Sequence, residues 1–187
     1  ERKTEIKIFD DVDVTKVVIR NTKLFVNRIE GFVGTGMRRE EYVCDCSDID
    51  DIIVFTKSGS MMVTKVDTKT FVGKNILHVA VFKKKDSRTI YNMIYKDGKG
   101  GASYIKRFAV TSITRDKAYD LTKGKPQTAV LYFSANPNGE AEIVTVFLRH
   151  LGSIKKLKWD IDFATVSIKG RSSKGNLVTK HAVKRIE

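Results

Sequence analysis

The stretch Ile52-Ile53-Val54-Phe55-Thr56-Lys57-Ser58-Gly59-Ser60-Met61-Met62-Val63 decides the fold class. Two apolar runs flank Lys-Ser-Gly. β-Branched and aromatic residues in runs this short fit a pleated strand better than an amphipathic helix. Glycine supplies the positive φ that a tight turn needs. The stretch reads as a β-hairpin.

Working outward, the same pattern recurs. Val17-Val18-Ile19-Arg20-Asn21-Thr22-Lys23-Leu24-Phe25-Val26 sets two β-branched runs around a short polar turn. Ile90–Gly98, continued through Gly101 to Tyr104-Ile105-Lys106-Arg107-Phe108, is a third hairpin, and Val144–Leu157 is a fourth. Their starts lie about 35, 38 and 54 residues apart, the spacing of a four-stranded propeller blade with an insertion in the third. Each hairpin is followed by a weaker unit in which an aromatic precedes glycine and, in most copies, a base. These are Phe32–Gly36, Thr70–Asn75, Tyr119–Lys125 and Phe163–Arg171. Closing strands are expected at Ile76–Phe82, Thr128–Phe133 and Asn176–Thr179. No stretch shows sustained helical periodicity. The reading is all-β: one array of about four four-stranded blades, roughly residues 5–50, 51–88, 89–142 and 143–187.

Composition narrows the partners. The 187 residues hold 35 Lys+Arg against 22 Asp+Glu, a net charge of +13. Residues 1–50 carry 9 basic and 11 acidic side chains; residues 51–187 carry 26 and 11. The positive charge therefore lies on the later three-quarters, and it favours a polyanionic partner. No apolar run approaches the roughly 18 residues of a spanning helix, so no membrane partner is expected. Cys44 and Cys46 are the whole cysteine count and stand too close in sequence for an unstrained disulfide, which points to a reducing, cytosolic compartment. The chain opens Glu1-Arg2-Lys3 without Met and reads as a piece of something longer.

Order and motifs together carry a resemblance. Ile53-Val54-Phe55-Thr56-Lys57-Ser58-Gly59, the Gly-Lys/Arg loops, and above all Ile168-Lys169-Gly170-Arg171-Ser172-Ser173-Lys174-Gly175-Asn176 resemble the C-terminal domain of the A subunit of bacterial type II topoisomerases, DNA gyrase and topoisomerase IV. Phe32–Gly36, Tyr119–Pro126 and Ser134–Glu140 look most like the topoisomerase IV-type subunit of Bacteroidetes-like bacteria. The resemblance runs from about residue 5 to 187. It implies a β-pinwheel whose neighbouring blades exchange strands and whose basic rim bends or wraps duplex DNA. It also implies that cleavage chemistry, ATP and Mg²⁺ belong to other regions. The expected partners are double-stranded DNA, the ATPase B subunit, and the rest of the A subunit, in the cytoplasm at the nucleoid. The Gln-Arg-Arg-Gly-Gly-type box of gyrase A subunits is absent from this sequence, which favours topoisomerase IV.

The DNA-contact residues expected on this reading are Arg38, Arg39, Lys74, Lys123, Lys125, Lys155, Lys156, Lys169, Arg171 and Lys174. They recur at comparable places in successive units, so they would line up as a stripe along a phosphate backbone. Lys169, Arg171 and Lys174 are expected to be exposed.

Other candidates have plainer readings. Cys44 and Cys46 share one strand face and suit core packing; a zinc site would need further Cys or His ligands. Asp45, Asp48, Asp50 and Asp51 suit a solvated loop between blades. His78, His150 and His181 show no ligand spacing. Tyr91, Tyr95, Tyr104 and Tyr119 fall in strand patterns rather than beside a base and metal-binding carboxylates, so they are assigned to structure or DNA contact. Lys96–Gly101 precedes no helix and is a hairpin turn rather than a phosphate loop, and Trp159 is assigned to packing. No cofactor or catalytic constellation is expected, and the fragment is not expected to be an enzyme. A propeller-like protein-interaction scaffold with a basic surface is the rival reading; salt-dependent binding to duplex DNA separates the two.

Overall fold

The computed structural model describes residues 22–150, 152 and 154–187. Within them the chain forms strands β1 (Thr22–Asn27), β2 (Phe32–Gly34), β3 (Glu41–Cys46), β4 (Asp51–Thr56), β5 (Ser60–Lys65), β6 (Thr70–Phe71), β7 (Ile76–Phe82) and β8 (Ile90–Lys96). They continue with β9 (Ser103–Phe108), β10 (Ala118–Asp120), β11 (Ala129–Asn136), β12 (Ile143–Leu148) and β13 (Lys158–Asp162). After a 3-10 turn at Phe163–Thr165 come β14 (Ile168–Lys169), β15 (Asn176–Thr179) and β16 (Val183–Ile186).

Four sheets result, and their composition is what makes the fold a pinwheel. The first has the order β3-β1-β2-β6, the second β10-β5-β4-β7, and the third β11-β8-β9-β14, with β15 also on β9; the fourth is β13-β12-β16. In each of the first three, the strand at one edge is donated by the next unit along the chain: β6 to β2, β10 to β5, β14 and β15 to β9. At the other edge, β3 packs against β7 and β11 against β16. The all-β expectation and the strand exchange both hold.

The sheets have four, four, five and three strands rather than four each. The fifth strand arises because β9 accepts two donated segments end to end. β14 pairs parallel at Arg107–Phe108, and β15 pairs antiparallel at Ser103–Ile105. Among the described residues, β13 accepts no donated strand.

The Ile52–Val63 hairpin forms as expected, with Gly59 at φ 84° in its turn. It reads as an unbroken apolar run because β4 is buried on both faces. Ile52 and Val54 face the core shared with Leu24, Val33 and Val79; Ile53 and Phe55 face the core shared with Tyr91, Met93 and Phe108. Phe55 anchors the second, its ring 4.6 Å from Tyr91 and 4.7 Å from Phe133. Ile94, Ile105, Val144 and Phe163 make a third, smaller core.

Two hairpins differ from expectation. Val17–Asn21 lies outside the described residues, and Thr22-Lys23 belongs to strand β1 rather than to a turn. The first hairpin turns instead after Asn27, where Gly31 takes φ 85° and donates to the Asn27 carbonyl at 2.9 Å. In the fourth, the second arm starts at Lys158, because the basic Lys155-Lys156 segment stays in the connection. The closing strands β7 and β15 occupy the expected spans, and β11 runs three residues further than expected.

Cys46 is fully buried in the first core and Cys44 packs half-buried against it. Asp48 and Asp50 fold back on Ser47, through its hydroxyl and its backbone N–H, in the β3–β4 connection. Asp51 pairs with Arg115 at 2.9 Å. His78 is half-buried against Phe55 and Phe133, and burial lowers its pKa. His150 and His181 are exposed. Trp159 is half-buried in β13, and Lys96–Gly101 ends β8 and turns toward β9 through Gly98 and Gly100, both at positive φ.

Candidate nucleic-acid interface

Strand exchange dictates where the bases go. After donating a strand to the preceding sheet, the chain must return to start the far edge strand of its own sheet. Val72–Asn75 and Leu121–Thr128 return in this way; a third base-bearing segment, Gly170–Gly175, lies before the return of its unit and links two strands donated to the same β9. The first two cross the hairpin turn beside them. Val72 N–H donates to Gly31 O and Ile76 N–H to Arg28 O, both at 2.8 Å, across the β1–β2 turn. Leu121 N–H donates to Gly59 O and Val130 N–H to Lys57 O, also at 2.8 Å, across the β4–β5 turn. The third bridges β14 and β15 above Lys106 of β9.

Lys74, Lys123, Lys125, Arg171 and Lys174 all sit on these three segments, with Lys169 at the end of β14. Arg38 and Arg39 occupy the corresponding connection of the first unit, between β2 and β3. Of these eight, Arg38, Arg39, Lys74, Lys123 and Lys125 hold equivalent chain positions. Lys155 and Lys156 do not; they lie in the β12–β13 hairpin connection, exposed, beside the groove around Trp159.

The second and third segments meet beneath the surface at Lys106. This lysine is 1% exposed. Its ammonium donates to Arg171 O at 2.6 Å, to Ser173 O at 3.0 Å and to Leu121 O, and it lies 4.8 Å from the Phe108 ring centroid. Burial, aided by nearby Lys123, lowers its pKa to about 8. The three carbonyls oppose that shift, because each hydrogen bond favours the ammonium. Neighbouring Arg107, on the opposite face of β9, is also buried; it donates to Asn92 Oδ1 at 2.9 Å and to Gly139 O at 2.9 Å. Both residues are sites that the sequence reading passed over.

Arg171 and Lys174 are less free than expected. The Arg171 guanidinium stacks on Tyr119, 4.4 Å from the ring centroid, and donates to Ser112 O. Lys174 lies 4.2 Å from the Tyr104 ring centroid, and its backbone carbonyl accepts from the Tyr95 hydroxyl at 2.7 Å. The physical cause is the cover provided by β9 and β10: the tyrosines alongside give cations a π face to rest on. Lys74, Lys123, Lys125 and Lys169 remain exposed. Among the described residues, no group of three or more His, Cys, Asp and Glu side chains converges as metal ligands.

The family model for the topoisomerase C-terminal domain of Bacteroidota matches residues 23–187. The chain belongs to this family. It is thereby the C-terminal domain of the A-type chain of a bacterial type II topoisomerase. Among curated proteins it is 27% identical over 188 residues to the A subunit of DNA topoisomerase 4 from Borreliella burgdorferi. That alignment takes in 100% of this chain and 28% of the relative, so the chain spans little more than a quarter of that protein. Among solved structures, the crystal structure of the C-terminal domain of DNA topoisomerase IV aligns at 13% identity with a TM-score of 0.49, covering 90% of this chain and 62% of that one. In this topoisomerase C-terminal domain, the segments from two consecutive units, Leu121–Thr128 and Gly170–Gly175, are joined through one buried lysine.

Proposed function

We propose that this domain holds duplex DNA by its phosphates along the base-bearing return segments, and positions the duplex for strand passage by the larger protein to which it belongs. The carrying observation is the recurrence of Arg38-Arg39, Lys74 and Lys123/Lys125 at one chain position in three successive units, with Arg171 and Lys174 beside them on the link between β14 and β15. Repetition around a pinwheel sets cations at intervals along a curved path, and a duplex following that path is bent. No recognition helix is present among the described residues to enter a major groove, so contacts are to the backbone and affinity varies little with base sequence. Catalysis, ATP and Mg²⁺ belong to the ATPase B subunit, together with the rest of the A subunit; these are the expected protein partners, in the cytoplasm at the nucleoid. The missing Gln-Arg-Arg-Gly-Gly-type box and the similarity to a topoisomerase IV relative favour topoisomerase IV over gyrase.

The test is equilibrium binding of the chain to a fluorescent duplex of about 30 base pairs across a salt series. With roughly six phosphates neutralised, log K falls against log salt with a slope of about −5. Two unrelated sequences of equal length should give affinities within a few-fold of each other. A slope near zero, or no binding at low salt, returns the domain to the protein-interaction reading.

A further inference from the structure

Asp97 stands at the start of the β8–β9 turn, between the two segments that Lys106 joins. Its side chain is 3% exposed. Its Oδ2 lies 3.1 Å from Lys125 Nζ and 3.9 Å from Lys174 Nζ. Oδ1 is buried with no hydrogen-bond partner. The turn is fixed: Asp97 N–H donates to Ala102 O at 3.0 Å, and a Cβ on Gly101 would lie 1.8 Å from the Asp97 carbonyl oxygen. The carboxylate is therefore buried on a fixed turn, while the two lysine side chains that reach it are 59% and 39% exposed. Lys125 comes from the segment after β10 and Lys174 from the segment after β14, so one anion bridges cations from consecutive units.

We propose that Asp97 is a built-in counter-anion of the DNA interface: in the free domain it holds Lys125 and Lys174, and a DNA phosphate must compete with it for them. One carboxylate oxygen between two ammoniums resembles a phosphate oxygen between two ammoniums. Asp97 already neutralises part of the charge that would otherwise release counterions on binding, and so sets the affinity of the interface below what its base count would give. Lys123, on the same segment as Lys125, is exposed and makes no ion pair among the described residues, so it meets phosphate without this competition.

This inference rests on the DNA-binding reading, and the experiment separates the two. Duplex binding is measured across a salt series for the parent chain, Asp97→Asn, Lys123→Gln and Lys125→Gln. Asparagine keeps the shape and removes the charge. Asp97→Asn should bind about fivefold tighter near 0.1 M salt, and its slope should steepen by one to two as lysines are released to phosphates. Lys125→Gln should cost less affinity than Lys123→Gln, because Lys125 is partly neutralised beforehand; this arm decides the matter if Asp97→Asn does not give a native circular dichroism spectrum. A folded Asp97→Asn that binds no tighter than the parent, or a Lys125→Gln that costs as much as Lys123→Gln, overturns the counter-anion role alone. A parent chain without salt-dependent binding overturns both readings.

Discussion

Replacing Lys106 by Met should destabilise the domain by about 3 kcal/mol. The substitution keeps the length and apolar stem of the side chain. It leaves Leu121 O, Arg171 O and Ser173 O without the donor that joins them. Each buried acceptor left unmade costs about 1–3 kcal/mol, offset in part because a buried charge is removed. Chemical denaturation of the parent and the variant measures the difference. The same pair carries a pH signature. Burial, aided by Lys123, pushes the Lys106 pKa down to about 8 in the fold, against about 10.4 for a lysine in the unfolded chain. Between those values the unfolded chain holds the extra proton, so the unfolding free energy rises with pH there, by up to about 3 kcal/mol. Relative to Lys106→Met, the parent should gain stability from pH 8 to pH 10. A difference that stays flat over that interval would mean that the ammonium remains charged and that burial does not govern it.

Gly175→Ala should cost as much, for a different reason. Gly175 ends the link between β14 and β15 at φ 87°, a region where a side chain costs about 1–2 kcal/mol. A Cβ there would also lie 2.3 Å from Ile105 O and 2.9 Å from Lys106 Cβ. β15 pairs Asn176 with Ile105, so neither backbone can retreat without breaking the donated strand. The sum is about 3 kcal/mol or more. Gly170→Ala in the same segment is the control: that position meets nothing within 4 Å and should change stability by less than about 0.5 kcal/mol. Equal melting temperatures for the two variants would show that the segment is not seated on β9.

Much of this architecture is legible in the chain because its turns are local. Ile52–Val63 announces itself through β-branched residues on both sides of Gly59, and β7 and β15 are bounded by the residues that also bound them in the fold. The first hairpin misleads because Arg20–Lys23 is wholly polar, whereas the segment that turns, Arg28-Ile29-Glu30-Gly31, carries an apolar residue in its middle. Sheet membership is hidden for a deeper reason. β6, β10 and β14 are two or three residues long, and their partners lie in the preceding unit, so pairing is set by packing over long separations.

The interface shows the same division. The recurrence of glycine and base sets Lys74, Lys123 and Lys125 at comparable places in the sequence, and in the fold they lie on equivalent segments; Arg171 lies on the link between β14 and β15. Lys106 and Arg107 escape notice because two adjacent bases in a strand read as an exposed edge. They can be buried only where both strand faces are covered, and the cover over Lys106 comes from a later unit. The exposure expected of Arg171 and Lys174 fails on the same account, since Tyr104 and Tyr119 become their neighbours only after folding.

On the proposed reading the return segments, rather than positive charge in general, hold the DNA. Two charge-matched variants test it directly. One replaces Lys74, Lys123 and Lys125 with Gln, all exposed and all on the return segments. The other replaces Lys83, Lys84 and Lys85 with Gln, exposed in the β7–β8 connection at the opposite ends of the strands from the hairpin turns. Duplex affinity is measured for both and for the parent at one salt concentration, and again as a salt series. The first variant should bind on the order of thirtyfold more weakly, equivalent to about 2 kcal/mol, with a slope shallower by two to three, and the second should stay within about threefold of the parent. Equal losses in the two variants, or a greater loss in the second, would contradict that reading.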